Sequence, residues 1–182
     1  MSTVVDRIAR LSIEKEQSAQ RRIFAVLLEN EPGALSRVVG LFAQRNYNIE
    51  SLTVAPTEDA TLSRLTVTTH GDERTLEQIS KQLHKLVEVV KVMDLNEGEH
   101  IEREILLIKI RTTGEDRQEV KRTADIFRAQ VVDVTSDTYT VQVVGPGQKL
   151  DAFVEAVSEM NVLEVVRSGA SGIGRGNRVL AI

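Results

Sequence analysis

Between Ile23 and Leu95 the hydrophobic pattern reads strand, helix, strand, strand, helix, strand, and the same succession begins again at Ile105. Few folds accept that order. A β-α-β-β-α-β unit closes as an antiparallel sheet with both helices on one face, so the expected class is α+β. Ile23 to Leu28 is a continuous apolar run, as a central strand covered on both faces requires. Leu35, Val38, Val39 and Phe42 follow at i, i+3, i+4 and i+7, one face of a helix. Asn46 and Asn48 mark the helix exit, because Asn tolerates left-handed dihedrals. A strand near Ile49–Ala55 and a turn at Pro56–Ala60 lead to a third strand, Leu62–Thr69. There Leu65 and Val67 alternate with Arg64, Thr66 and Thr68, which predicts one wet face. After Gly71 and Asp72, Leu76, Ile79, Leu83 and Leu86 form a second helical stripe, and Val89–Leu95 closes the unit.

The polar stretch Asn96–His100, which holds Gly98, reads as a domain boundary. Beyond it Ile105–Ile110 reads as a buried strand, and Val120, Ala124 and Phe127 as a helix face. Val131–Val134 and Tyr139–Val144 read as a hairpin, Leu150, Phe153, Val154 and Val157 as another stripe, and Leu163–Val166 as a last strand. The expected organisation is an extension over 1–20, a first domain over 21–97 and a second of the same architecture over 98–182. In the extension Val4, Val5, Ile8 and Leu11 recur at helical spacing, while Asp6, Arg7 and Arg10 interrupt any signal-peptide core. It reads either as a loosely docked helix or as a docking helix for a partner chain.

Composition removes several chemistries. Aromatic residues are 3% of the 182, with no Trp, and the net charge is -4. Both argue against a nucleic-acid surface built on stacked rings or a basic face. The absence of Cys excludes disulfides, thiolate metal sites and cysteine nucleophiles. No apolar run approaches the ~20 residues that cross a bilayer, so no membrane partner and a cytoplasmic location are expected. His70, His84 and His100 are far apart in sequence with no carboxylate in ligand register, so no metal site and no catalytic residue is assigned. Glu29 and Glu31 read as a solvated pair or as partners for an ammonium group. The Gly-rich stretch Ser168–Gly176 lacks the Lys and the strand-to-helix setting of a phosphate loop. It reads as a flexible terminus or as a partner contact.

One loop withstands the same scrutiny. In Glu31-Pro32-Gly33-Ala34, Pro32 presets a backbone angle and Gly33 supplies the positive φ of a type II turn. That can be nothing more than a short strand-to-helix connection. It also aims unpaired N–H groups of Gly33, Ala34 and Leu35 at one point, a ready anion site. Asn30 and Asn48, each with an amide donor and a carbonyl acceptor, could hold an ammonium group or a second carboxylate oxygen. Together these groups would suit an amino acid.

The segment RRIFAVLLENEPGALSRVVGLFAQRNYNIESLTVAPTEDATLSRLTVTT strongly resembles the small, regulatory subunits of acetohydroxyacid synthase, also called acetolactate synthase. The likeness continues through LEQISKQLHKLVEVVKV, REILLIKI, EVKRTADIFRAQVVDVTSDTYTVQVVG and the final RSG, covering roughly residues 21 to 176. The resemblance implies an ACT domain in the first half and a related ferredoxin-like domain in the second. It implies a non-catalytic subunit that activates a large subunit carrying thiamine diphosphate, Mg²⁺ and FAD. It further implies feedback inhibition by valine, with leucine or isoleucine as alternatives, and a homodimer formed side by side through the ACT domains. Carried over by position, Asn30, Pro32, Gly33, Ala34 and Leu35 would line the effector site from one protomer, with Asn48 and Ile49 from its neighbour. Pro32 departs from the small polar residue of some members, which bears on loop stiffness. The competing expectations are a free-standing amino-acid sensor for another enzyme or a transcription factor, a nucleic-acid binder, and an enzyme in its own right.

Overall fold

The computed structural model describes residues 20–114 and 116–181. The helix expected within 1–20 lies outside them. The chain divides into two compact units, one ending at His100 and taking back the C-terminal segment from Gly172, the other spanning Ile101–Ser171. Among the described residues no helix is long and apolar enough to cross a membrane.

In the first unit β1 (Gln20–Glu29), α1 (Ala34–Gln44), β2 (Ser51–Pro56), β3 (Leu62–Gly71), α2 (Glu73–Leu83) and β4 (Val89–Asp94) follow the expected order. The sheet runs β2-β3-β1-β4, with every pairing antiparallel. β1 is central, which is why Ile23 to Leu28 are all buried. Phe24, Val26, Leu28, Leu65 and Val67 face both helices, meeting Ala34, Val38 and Phe42 of α1 and Leu76, Ile79 and Leu83 of α2. At the rim of this core the Phe42 and Tyr47 rings meet edge to face, centroids 6.1 Å apart. The Asp72 side chain caps α2, accepting the Thr75 N–H at 2.7 Å. Asn46 takes φ 56°, the left-handed exit expected of it.

Two local expectations fail. The buried stripe of α1 is Ala34, Val38 and Phe42, whereas Leu35 and Val39 are 37% and 40% exposed. Positions i, i+4 and i+8 face the sheet, and Leu35 and Val39 form a second stripe turned about one residue away. The far face of β3 is not wet either: Thr66 and Thr68 are buried. The Thr68 hydroxyl is hydrogen-bonded to that of Ser51 at 2.7 Å, which satisfies its buried polar group. On the same side of the sheet Ile23, Ala25 and Leu95 cluster with Met93 and Leu180.

Leu180 belongs to the C-terminal segment, and its place corrects both the division at 98–182 and the reading of a flexible terminus. Arg64 donates to the Gly172 carbonyl at 2.8 Å, and Arg178 donates to the carbonyls of Asp94 at 2.9 Å and Leu95 at 3.4 Å. Lys91 donates to the Ala181 carbonyl. These contacts, with the partial burial of Leu180 against Ile23, Ala25 and Leu95, hold the segment to the first unit.

The second unit repeats the topology with β5 (His100–Arg111), α3 (Asp116–Ile126), β6 (Gln130–Val134), β7 (Thr138–Gly145), α4 (Gly147–Ala156) and β8 (Val162–Arg167), in the sheet order β6-β7-β5-β8. Its core gathers Leu106, Ile108, Ile110, Val141 and Val143 against Val120, Ala124, Leu150, Phe153 and Val157. Phe127 meets Phe153 edge to face with centroids 5.2 Å apart. β5 is covered on one face only, since Ile105 and Leu107 remain partly exposed. Arg167 forks onto both oxygens of the buried Glu104 at 3.0 and 2.7 Å and reaches Asp151 at 2.6 Å. The hydrogen bond to Glu104 is the main reason its guanidinium holds its proton more tightly than usual.

Candidate functional site

β1 ends at Glu29, where the chain turns at once into α1. Pro32 and Gly33 occupy the middle of that turn, and the Ala34 N–H donates to the Glu31 carbonyl at 3.2 Å. Gly33 takes φ 97° and ψ -19°, the dihedrals a type II turn needs at its third position. It also serves as the N-cap of α1, and no side chain caps that end. The first helical bond runs from the Arg37 N–H to the Gly33 carbonyl at 3.0 Å. Among the described residues, the N–H groups of Gly33, Leu35 and Ser36 meet no acceptor. The expected trio Gly33, Ala34 and Leu35 is thus adjusted by one: Ala34 spends its donor on closing the turn.

The turn and the start of α1 border a shallow cavity of about 240 Å³ lined by Leu28, Glu29, Asn30, Glu31, Ala34, Leu35, Val54, Ala55, Pro56 and Ser63. Leu28, Ala34, Leu35 and Val54 give it an aliphatic wall, and the loop gives it a polar rim. The cavity brings together Asn30, Ala34 and Leu35, with Pro32 and Gly33 in the same turn. It does not bring Asn48 or Ile49. The Asn48 carbonyl accepts from the Thr69 hydroxyl at 2.6 Å, and Ile49 packs on the core. Thr69 lies six residues along β3 from Ser63, roughly 20 Å at strand rise.

Asn30 is already engaged. Its side-chain amide donates to the Ala60 carbonyl at 3.0 Å, and its Oδ1 accepts from the Ser63 hydroxyl at 3.0 Å. Val54, Ala55, Pro56 and Ser63 were missed by sequence reasoning. Strand register, which pairs Ser63 with Leu28 on one side and Pro56 on the other, is what puts them at the loop. The histidines are dispersed, with Nδ1 of His84 within hydrogen-bond reach of the Ser80 carbonyl at 2.8 Å. Among the described residues no group of three potential ligands is disposed to hold a metal ion.

The chain resembles known proteins along most of its length. Residues 24–91 match the family described as AHAS small subunit-like ACT domain, and residues 103–176 match the one described as small subunit of acetolactate synthase. The chain is 62% identical over 159 residues to the acetolactate synthase small subunit of Haemophilus influenzae, covering 87% of this chain and 98% of that one. It is 59% identical over 161 residues to the acetolactate synthase isozyme 3 small subunit of Escherichia coli, covering 88% and 99%. The crystal structure of the acetolactate synthase small subunit from Thermotoga maritima shares the fold at a TM-score of 0.79 and 39% identity, covering 87% of this chain and 99% of that one. With relatives this similar along nearly their whole length, the chain belongs to the acetolactate synthase small subunit family, and its first half is that family's ACT domain.

Proposed function

We propose that this chain is the regulatory subunit of an acetolactate synthase, binding a branched-chain amino acid and setting the activity of a separate catalytic large subunit. Thiamine diphosphate, Mg²⁺ and FAD would sit on that partner. The observation that carries the reading is the uncapped N-terminus of α1, whose first turn has unpaired N–H groups and contributes Ala34 and Leu35 to the lining of a cavity with an aliphatic wall. Backbone donors and the helix dipole favour a carboxylate there. Leu28, Leu35 and Val54 suit a short branched side chain.

The cavity lies at the β2 edge of the sheet, and a second copy would complete it. Antiparallel pairing of two β2 strands centred on Thr53 and Val54 would set Ser51 of one copy opposite Pro56 of the other. Asn48 and Ile49 of the second copy would then arrive at the loop, a meeting no single chain can make. The exposed Leu35, Val39 and Val54 would be covered in the same step. A ligand that bridges two copies can shift the complex only by its differential affinity for two states, typically about 1–3 kcal/mol of coupling.

The test is to titrate the catalytic large subunit with this chain, with and without valine, leucine and isoleucine. Activity should rise with the chain and saturate, and at least one of the three should lower it at a half-effective concentration between ~1 μM and ~1 mM. Unchanged activity on addition of the chain, or equal indifference to all three amino acids, would overturn the reading.

A further inference from the structure

One side chain ties the β1–α1 loop to the tip of the β2–β3 hairpin. The Asn30 backbone N–H donates to the Thr61 carbonyl at 2.7 Å, and its side-chain amide donates to the Ala60 carbonyl at 3.0 Å. The Ala60 carbonyl can only accept, so the amide flip is fixed with Nδ2 towards it and Oδ1 towards Ser63. Ser63 must then donate, as its 3.0 Å contact with Oδ1 shows. Ser63 is 6% exposed and held between Leu28 and Pro56, so little water competes for its hydroxyl. Both residues line the cavity. What Asn30 has left is one N–H and one lone pair, the complement of a carboxylate oxygen and an ammonium proton.

We propose that Ser63 is a positioning residue of the amino-acid site, holding the Asn30 amide in the flip and rotamer that a ligand meets. The inference rests on the effector reading above and assigns Ser63 a role without a direct contact to ligand. Removing the hydroxyl leaves Oδ1 without its fixed donor, so the amide gains freedom that ligand binding must then remove. Ser63→Ala should therefore weaken the effector response and leave the surface that activates the catalytic partner alone.

The experiment compares the parent chain, Ser63→Ala and Ser63→Thr in the reconstituted complex with the large subunit. Two quantities are read: maximal activation, and the concentration of valine, leucine or isoleucine giving half inhibition. Ser63→Ala should raise that concentration about ten-fold, the scale of one hydrogen bond, with maximal activation unchanged. Ser63→Thr, which keeps the hydroxyl, should return it to within about three-fold of the parent. The inference is overturned if Ser63→Ala responds like the parent, if activation falls in step with the response, or if Thr fails to restore it. A parent chain that activates yet ignores all three amino acids defeats the effector reading, and the role of Ser63 falls with it.

Discussion

Gly33 holds φ 97°, and a Cβ built on it would meet nothing within 4 Å. Its requirement is thus conformational, not spatial. Asn and Asp are the side chains that best tolerate this region, and they share a shape, so exchanging one for the other isolates charge. Gly33→Asn should weaken effector binding slightly. Gly33→Asp should weaken it by a further five-fold or more, since like charges ~5 Å apart repel by about 1–3 kcal/mol at effective dielectrics between ~20 and ~80. Calorimetry of the two variants decides; equal affinities would remove the ligand carboxylate from this loop. A second residue governs the hairpin tip. Asp59 accepts from the Thr61 hydroxyl at 2.6 Å and the Thr61 N–H at 2.9 Å, the hydroxyl bond chiefly holding its carboxyl below the ordinary 3.8. A depressed native value means support that is present above the unfolded value and lost as pH falls through the native one. The tip should loosen below about pH 4, seen as faster amide exchange at Thr61 and Leu62, and Asp59→Asn should abolish that dependence. At this scale the positive φ of Gly33 and Asn46 was legible, because turn chemistry is local. The occupation of the Asn30 amide was not, because Ala60 and Ser63 reach it only after two strands have paired.

Strands and helices were legible where one period dominated. β1 is apolar throughout because it is central, and the Leu76, Ile79 and Leu83 stripe of α2 buries as its spacing demands. α1 misled because it carries two apolar stripes. Counting every apolar residue as core-facing merged the buried Ala34–Val38–Phe42 row with the exposed Leu35 and Val39. That surplus is the informative part. An aliphatic row on a helix beside an exposed Val54 on an edge strand is a surface awaiting cover. Val39→Glu should leave the fold intact, since the side chain is 40% exposed, and yet split the pair of copies proposed above. Sedimentation would show a monomer with near-parental thermal unfolding, and amino-acid binding would fall because Asn48 of the second copy is withdrawn. A Val39→Glu chain that stays paired would place the dimer contact elsewhere. The same counting error hid the buried far face of β3, where Thr66 and Thr68 alternate as if wet but lie on the side of the sheet that carries Ile23, Ala25 and Leu180.

The duplication of β-α-β-β-α-β was legible in the whole chain, because a repeated succession of periods survives the loss of residue identity. The destination of the last segment was not. A Gly-rich run carries no period, and the segment's side-chain partners lie 76 to 108 residues away in sequence. Gly98, read as a linker residue, shows what was hidden: a Cβ there would come within 2.6 Å of the Arg178 guanidinium, and one on Gly174 within 2.5 Å of the Arg178 carbonyl. The two glycines leave the room in which Arg178 reaches the carbonyls of Asp94 and Leu95. Asp94 is itself pinned, accepting from Arg22 at 2.6 Å while Arg22 also reaches Glu73 at 3.1 Å. The C-terminal segment therefore closes on the end of β4, a strand that flanks the central β1. Arg178→Ala removes two charge-assisted bonds and leaves two carbonyls to water, a loss of about 1–3 kcal/mol. The loss should be local: amide exchange should accelerate in β4 and along β1 from Ile23 to Leu27, while the second unit's Leu106 and Ile108 keep their protection. Gly98→Ala should reproduce the pattern from the other side by displacing the same guanidinium, and Arg178→Ala combined with Gly98→Ala should cost little more than either alone, because both act on one contact. Uniform acceleration across both units, or additive losses in the pair, would show that Arg178 is not what ties the segment to the end of β4.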